Sequence, residues 1–113
     1  MTERNCIAIG VDQDDRIWKG HFGMSPQYKI YDRNGEFLEE RQNPYGVVDG
    51  LHKHHDNPKL IVDLLPECNV FIAQRMGGGS KRKLAEKLGI QAVFTEEKDP
   101  QLALSAYFES SQN

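Results

Sequence analysis

The amino-acid sequence predicts an α/β fold: a mixed, mostly parallel sheet with an antiparallel hairpin, and helices on its faces. Three apolar runs, at residues 6–12, 69–73 and 91–95, have the length and composition of buried strands. Helix signals occur between and after the last two runs, and an Asn-Gly pair separates two other β-rich segments. A strand and a hairpin followed by alternating helices and strands is typical of a parallel sheet that carries an antiparallel hairpin.

The first half of the chain is predicted to be mainly β-structure. Its elements are, in order, a strand at 6–12, a turn with a short extension at 14–18, hairpin strands at 27–32 and 37–41, and a polar loop at 44–57. Asn34-Gly35 supplies the signal of a tight hairpin turn. Asn43-Pro44 ends the second hairpin strand.

The second half is predicted to alternate between helices and strands. Its elements are a helix at 58–65, a strand at 69–73, a glycine loop at 76–80, a helix at 81–88, a strand at 91–95 and a helix at 100–108. Pro58 can open the first helix, Gly89 stops the second, and Asp99 caps the third. Residues 109–113 are expected to fray.

Size and composition narrow the class of protein. A chain of 113 residues suits a single domain, predicted to span residues 1–113, and its net charge of -3 argues against nucleic acid as a partner. No stretch approaches the roughly 18 apolar residues of a membrane helix. The first residues lack the apolar core of a signal peptide, so we expect a cytoplasmic location, where Cys6 and Cys68 are thiols or ligands more often than a disulfide.

A glycine-rich loop leads from the predicted strand at 69–73 into the next helix, and it is a candidate anion site. Its residues are Met76, Gly77, Gly78, Gly79, Ser80, Lys81 and Arg82. Backbone N–H groups at a helix start bind phosphate, carboxylate, or an oxo- or thio-metalate. The Walker and dinucleotide patterns are both missing. A plain strand-to-helix connection with a basic first turn explains the same residues.

All four histidines fall in two short segments. His21 lies between Gly20 and Gly23, and Phe22 can anchor this segment in the core. His52, His54 and His55 share the polar loop. Imidazoles bind transition metals, so both segments are candidate metal ligands in an open site. A closed zinc site is disfavoured because its ligand spacings are absent. A solvated loop and a His21 that caps a backbone carbonyl are the alternatives.

The carboxylates suggest a competing function. Asp12, with other acidic residues, supplies oxygen ligands of the kind that a metal-dependent phosphohydrolase or nuclease needs. A solvated turn explains the acidic stretch equally well. An interaction module without any metal is a third hypothesis.

With these residues in view, the chain resembles the dinitrogenase iron–molybdenum cofactor biosynthesis family. The most specific matching element is His21-Phe22-Gly23-Met24-Ser25-Pro26, which a strand follows. The other matching segments are the strands at 7–12, 28–32 and 68–73, the helix at 58–65, Met76-Gly77-Gly78-Gly79 and residues 84–90. This chain departs from many relatives in its histidine-rich middle loop and in the Lys-Arg-Lys after its glycine loop.

The resemblance implies a ribonuclease-H-like fold and a non-enzymatic carrier or chaperone. Its cargo would be an iron–molybdenum cofactor or another molybdenum-containing metal–sulfur cluster, exchanged with a cluster-donor or acceptor protein. Combined with the residues above, it predicts an anionic cluster between the His21 segment, the 52–55 loop and the glycine loop. Imidazoles would ligate the cluster, and backbone N–H groups with Lys81 and Arg82 would offset its charge.

Overall fold

One five-stranded sheet, in the order β3-β2-β1-β4-β5, organises the protein in a computed structural model that describes residues 5–43, 58–75 and 89–111. Its strands are β1 (Cys6–Val11), β2 (Gln27–Tyr31), β3 (Phe37–Gln42), β4 (Cys68–Ala73) and β5 (Gln91–Phe94). The described helices are a 3-10 turn at Phe22–Met24, α1 (Pro58–Leu64) and α2 (Pro100–Ser111). None of these helices has the length and apolar character needed to cross a membrane.

The sheet is mixed, as the sequence predicts. β1 pairs in parallel with β4, and β4 with β5, whereas β2 is antiparallel to both β1 and β3. Four of the five strands therefore run in one direction, although only two of the four pairings are parallel. The β2–β3 hairpin is confirmed; the finer designation, a ribonuclease-H-like fold, stays a prediction.

Each face of the sheet carries one described helix. On one face, α1 packs through Ile61 and Val62 against a cluster that includes Ala8 and Phe71. On the other face, α2 packs through Leu104 against a cluster that contains the alternate side chains of β1 and β4. Successive strand residues point to opposite faces, so the continuous apolar runs of these two strands supply both cores.

Most predicted element bounds agree with the structure to within two residues, and the last helix is the exception. It continues to Ser111, so the predicted fraying is wrong for residues 109–111. Tyr107 and Phe108 pack against the core and hold the last turns of the helix in place. The hairpin loop spans residues 32–36 and is longer than a tight two-residue turn.

Two predicted elements lie outside the described residues: the loop at 44–57 and the helix at 81–88. Gly89, the predicted stop of that helix, has a φ of 66°, in the left-handed region that favours glycine at a helix end.

Candidate functional site

The carboxyl ends of β1, β3, β4 and β5 meet the amino end of β2 at one edge of the sheet. The segment at residues 21–25, here called the His21 turn, lies at this edge because it connects directly to β2. Ligands of open α/β sheets bind outside the carboxyl ends of the strands. This edge is therefore the candidate site.

Phe22 anchors the His21 turn in the core, as the sequence predicts. The residue is 3% exposed, and its ring stacks on Phe71 at 4.6 Å between ring centroids and lies 4.9 Å from the ring of Tyr28. The preceding residue, His21, is exposed, and its side chain makes no capping hydrogen bond to the described turn. A fixed backbone thus presents the imidazole at the surface.

A buried polar network fixes the shape of the same turn. The Phe22 carbonyl oxygen accepts hydrogen bonds from Ser25 Oγ at 2.8 Å and from the Tyr28 hydroxyl at 2.7 Å. The Asn43 side-chain amide donates to the Tyr28 hydroxyl at 3.0 Å, to the Ser25 carbonyl at 2.8 Å and to the Gly23 carbonyl at 3.0 Å. Burial raises the pKa of Tyr28, so its hydroxyl keeps the proton that it donates.

The His21 turn rests on β1 at Gly10. A Cβ atom at Gly10 would overlap Ser25 Oγ and lie 2.9 Å from Ser25 Cβ. The turn can approach the strand this closely because glycine has no side chain.

The turn is also joined to the segments that lead into both predicted loops. His21 forms a parallel bridge with Arg75, and the Phe22 backbone N–H donates to the Arg75 carbonyl at 2.9 Å. Arg75 directly precedes Met76 and the glycine loop, and Asn43 directly precedes the loop at 44–57. The structure therefore brings the residues that precede both predicted loops to the His21 turn.

His21 is the predicted site residue within the described ranges. The others lie outside those ranges: His52, His54, His55, Met76, Gly77, Gly78, Gly79, Ser80, Lys81 and Arg82. Among the described residues, no group of three or more His, Cys, Asp or Glu side chains is arranged to hold a metal ion. Cys68 is fully buried in the core, which makes it a poor ligand for a metal at the surface.

The acidic turn after β1 has a structural explanation. Asp12 Oδ1 accepts the backbone N–H groups of Asp14 at 2.8 Å and Arg16 at 3.1 Å. Asp15 has a φ of 64° and pairs with Lys29 at 3.3 Å. The Oδ1 atom of Asp12 therefore shapes its own turn.

The hairpin loop between β2 and β3 repeats this turn. Asp32 Oδ1 accepts the backbone N–H groups of Asn34 at 2.8 Å and Glu36 at 3.0 Å. Gly35, with a φ of 88°, occupies the place that Asp15 has in the first turn. Two turns of one design at opposite ends of the sheet indicate that the first aspartate of each shapes the backbone.

We expect Asp12→Asn to change the free energy of unfolding by less than about 1 kcal/mol, since asparagine keeps the Oδ1 acceptor. Asp12→Ala removes both hydrogen bonds and should cost about 1–2 kcal/mol. Urea unfolding measures both, and the same two substitutions at Asp32 are the matched control.

The parent protein should also show no cleavage of nucleic acid or phosphate esters with magnesium or manganese. Metal-dependent cleavage that disappears in the Asp12→Asn variant would restore the hydrolase hypothesis.

The family model for the dinitrogenase iron-molybdenum cofactor matches residues 4–110. The chain belongs to this family. An NMR structure of a NifB-like protein from Thermotoga has the same fold, with a TM-score of 0.66 and 22% sequence identity over 93% of this chain and 88% of that one. Among curated proteins, none matches this chain.

Sequence reasoning about this iron–molybdenum cofactor family member missed the residues that hold the His21 turn in place. The sequence predicts Asn43 only as the end of a strand and Tyr28 only as a strand residue. Gly10 carries no local signal, because its role depends on a side chain 15 positions away. Asp12 did carry a usable signal, since the stretches that begin at Asp12 and Asp32 both suit the same five-residue turn.

Proposed function

We propose that this protein is a non-enzymatic carrier or chaperone for an anionic iron–molybdenum cofactor-like or related metal–sulfur cluster. Its membership of the iron–molybdenum cofactor family supports a role in handling that cofactor. The observation that carries the proposal is the joining of the His21 turn to the entries of both predicted loops. In this proposal, one binding region would draw on all three segments.

The chemistry of the available donors suits a cargo that must be released again. His21, His52, His54 and His55 would offer imidazole nitrogens, which bind transition metals reversibly. Near His21, Lys19 and Arg75 are exposed cations that favour an anion. Backbone N–H groups of the glycine loop, with Lys81 and Arg82, would complete the neutralisation.

The proposal includes a cytoplasmic location and exchange with a cluster-donor or acceptor protein. Hydrolysis is not part of the proposal, and the hydrogen bonds that Asp12 Oδ1 accepts within its own turn give this residue a structural role instead. The competing phosphohydrolase or nuclease hypothesis finds no support in the family or in the described site.

The test is retention of tetrathiomolybdate after equilibrium dialysis, with molybdenum counted per protein chain and charge-transfer absorption recorded. We expect His21→Ala to weaken retention about tenfold or more, because one ligand of an open site is lost. The combined variant His52→Ala, His54→Ala and His55→Ala should weaken it similarly while the fold persists. Asn34→Ala, an exposed change at the opposite end of the sheet, is the control.

Absence of retention by the parent would refute the carrier proposal. Equal retention by the parent and all histidine variants would remove the imidazoles from the site.

A further inference from the structure

Trp18 carries a buried hydrogen-bond donor that the fold leaves unused. Within the described part of the chain, its indole Nε1–H is shielded from solvent and has no acceptor, although the residue is only half-buried. Buried donors without an acceptor are costly and rare in folded proteins, and they are found where strain or ligand binding explains them. The chain contains this one tryptophan.

This donor lies beside the candidate site. The Trp18 backbone N–H donates to the Gly10 carbonyl at 2.9 Å, and Gly10 is the residue on which the His21 turn rests. The indole packs against Gly20, where an added Cβ would lie 2.7 Å from Nε1 and 3.1 Å from Cε2. The glycine backbone that leads into His21 therefore lies against the indole N–H.

The chemistry of the missing partner follows from the donor. An indole N–H only donates, so the missing group must be an acceptor, and an anion is the strongest acceptor. The adjacent Lys19 is an exposed cation, as is Arg75, the bridge partner of His21. A bare metal cation bound by histidine would leave the indole unsatisfied, whereas the oxygen or sulfur atoms of a metalate or cluster would accept its hydrogen bond.

We propose that Trp18 is a ligand-binding residue whose indole N–H donates to an oxygen or sulfur atom of the bound anion after a small displacement of the Lys19–Gly20 backbone. This inference rests on the proposed function and deepens it. Trp18 makes the site selective for an anionic metal species over the free cation. Gly20 contributes to this selectivity, since any side chain at that position would displace the indole from the site.

The first test uses the unchanged protein. A single tryptophan gives one indole ¹H–¹⁵N resonance, which should move downfield when molybdate or tetrathiomolybdate is added, because hydrogen bonding deshields the proton. Zinc chloride, titrated as the bare cation, should leave the hydrogen-bonding state of the indole unchanged. An indole resonance that stays fixed while molybdate or tetrathiomolybdate binds would overturn the proposal.

The second test compares affinities by calorimetry. Trp18→Phe keeps an aromatic ring and removes the N–H, so it should bind either molybdenum anion about tenfold more weakly, while zinc affinity should stay within about twofold. Tyr107→Phe removes a donor from the far end of the sheet and should change neither affinity. Equal anion affinity in Trp18→Phe and the parent refutes the role of Trp18 but leaves the carrier proposal standing. A parent that binds neither anion refutes both.

Discussion

Gly10→Ala is expected to lower the free energy of unfolding by about 3 kcal/mol or more. The new methyl group would overlap Ser25 Oγ and lie 2.9 Å from Ser25 Cβ. Neither residue can move easily to relieve the overlap, since Gly10 is in the buried strand β1 and Ser25 Oγ donates a hydrogen bond to the Phe22 carbonyl. Urea unfolding followed by circular dichroism measures the loss.

Two variants separate this collision from a general effect of alanine. Gly23→Ala, in the same turn, places its methyl group 3.6 Å from Ile61 Cγ1, an ordinary contact, and should change stability by less than about 1 kcal/mol. Adding Ser25→Gly to Gly10→Ala removes the obstructing atoms and should restore part of the loss, which a double-mutant cycle would detect. A double variant no more stable than Gly10→Ala would show that the close approach is not the cause.

The parts of the fold that could be predicted from the sequence are those that depend on residues close together in the chain. The strands β1 and β4 consist almost entirely of apolar residues, and composition alone predicts their bounds to within one residue. The pairing of β2 with β1 and the full length of α2 depend on contacts between distant segments. Tyr107 and Phe108 fix the end of α2 through packing, which overrides the weak polar ending of the sequence.

The residues of the candidate site also differ in whether neighbouring residues in the chain reveal their role. His21 could be found because glycine, histidine and an aromatic anchor are adjacent in the chain. The role of Asn43 could not be found in this way, since its three acceptors lie 15 to 20 residues away in the chain. The residues next to Asn43 give no sign that its amide is buried. The role of Trp18 could not be predicted either, because the lack of an acceptor for its indole N–H is a property of the folded protein.

Asn43→Asp should be as damaging as Gly10→Ala, with a loss of about 3–5 kcal/mol at neutral pH. The side chain is 8% exposed and faces the carbonyl oxygens of Gly23 and Ser25. An introduced carboxylate has nearly the same shape but donates nothing, so it would bring a buried negative charge against two acceptors. Chemical unfolding at neutral pH is the measurement.

The pH dependence identifies charge as the cause. Repulsion and burial favour the protonated form of the introduced carboxyl in the folded protein, so the variant should recover stability relative to the parent as the pH falls from about 7 to about 5. Asn34→Asp, the same change at an exposed position of the hairpin loop, should stay within about 0.5 kcal/mol throughout. If Asn43→Asp and Asn34→Asp proved equally mild, the amide would not hold the His21 turn, and the link between that turn and the loop at 44–57 would fail with it.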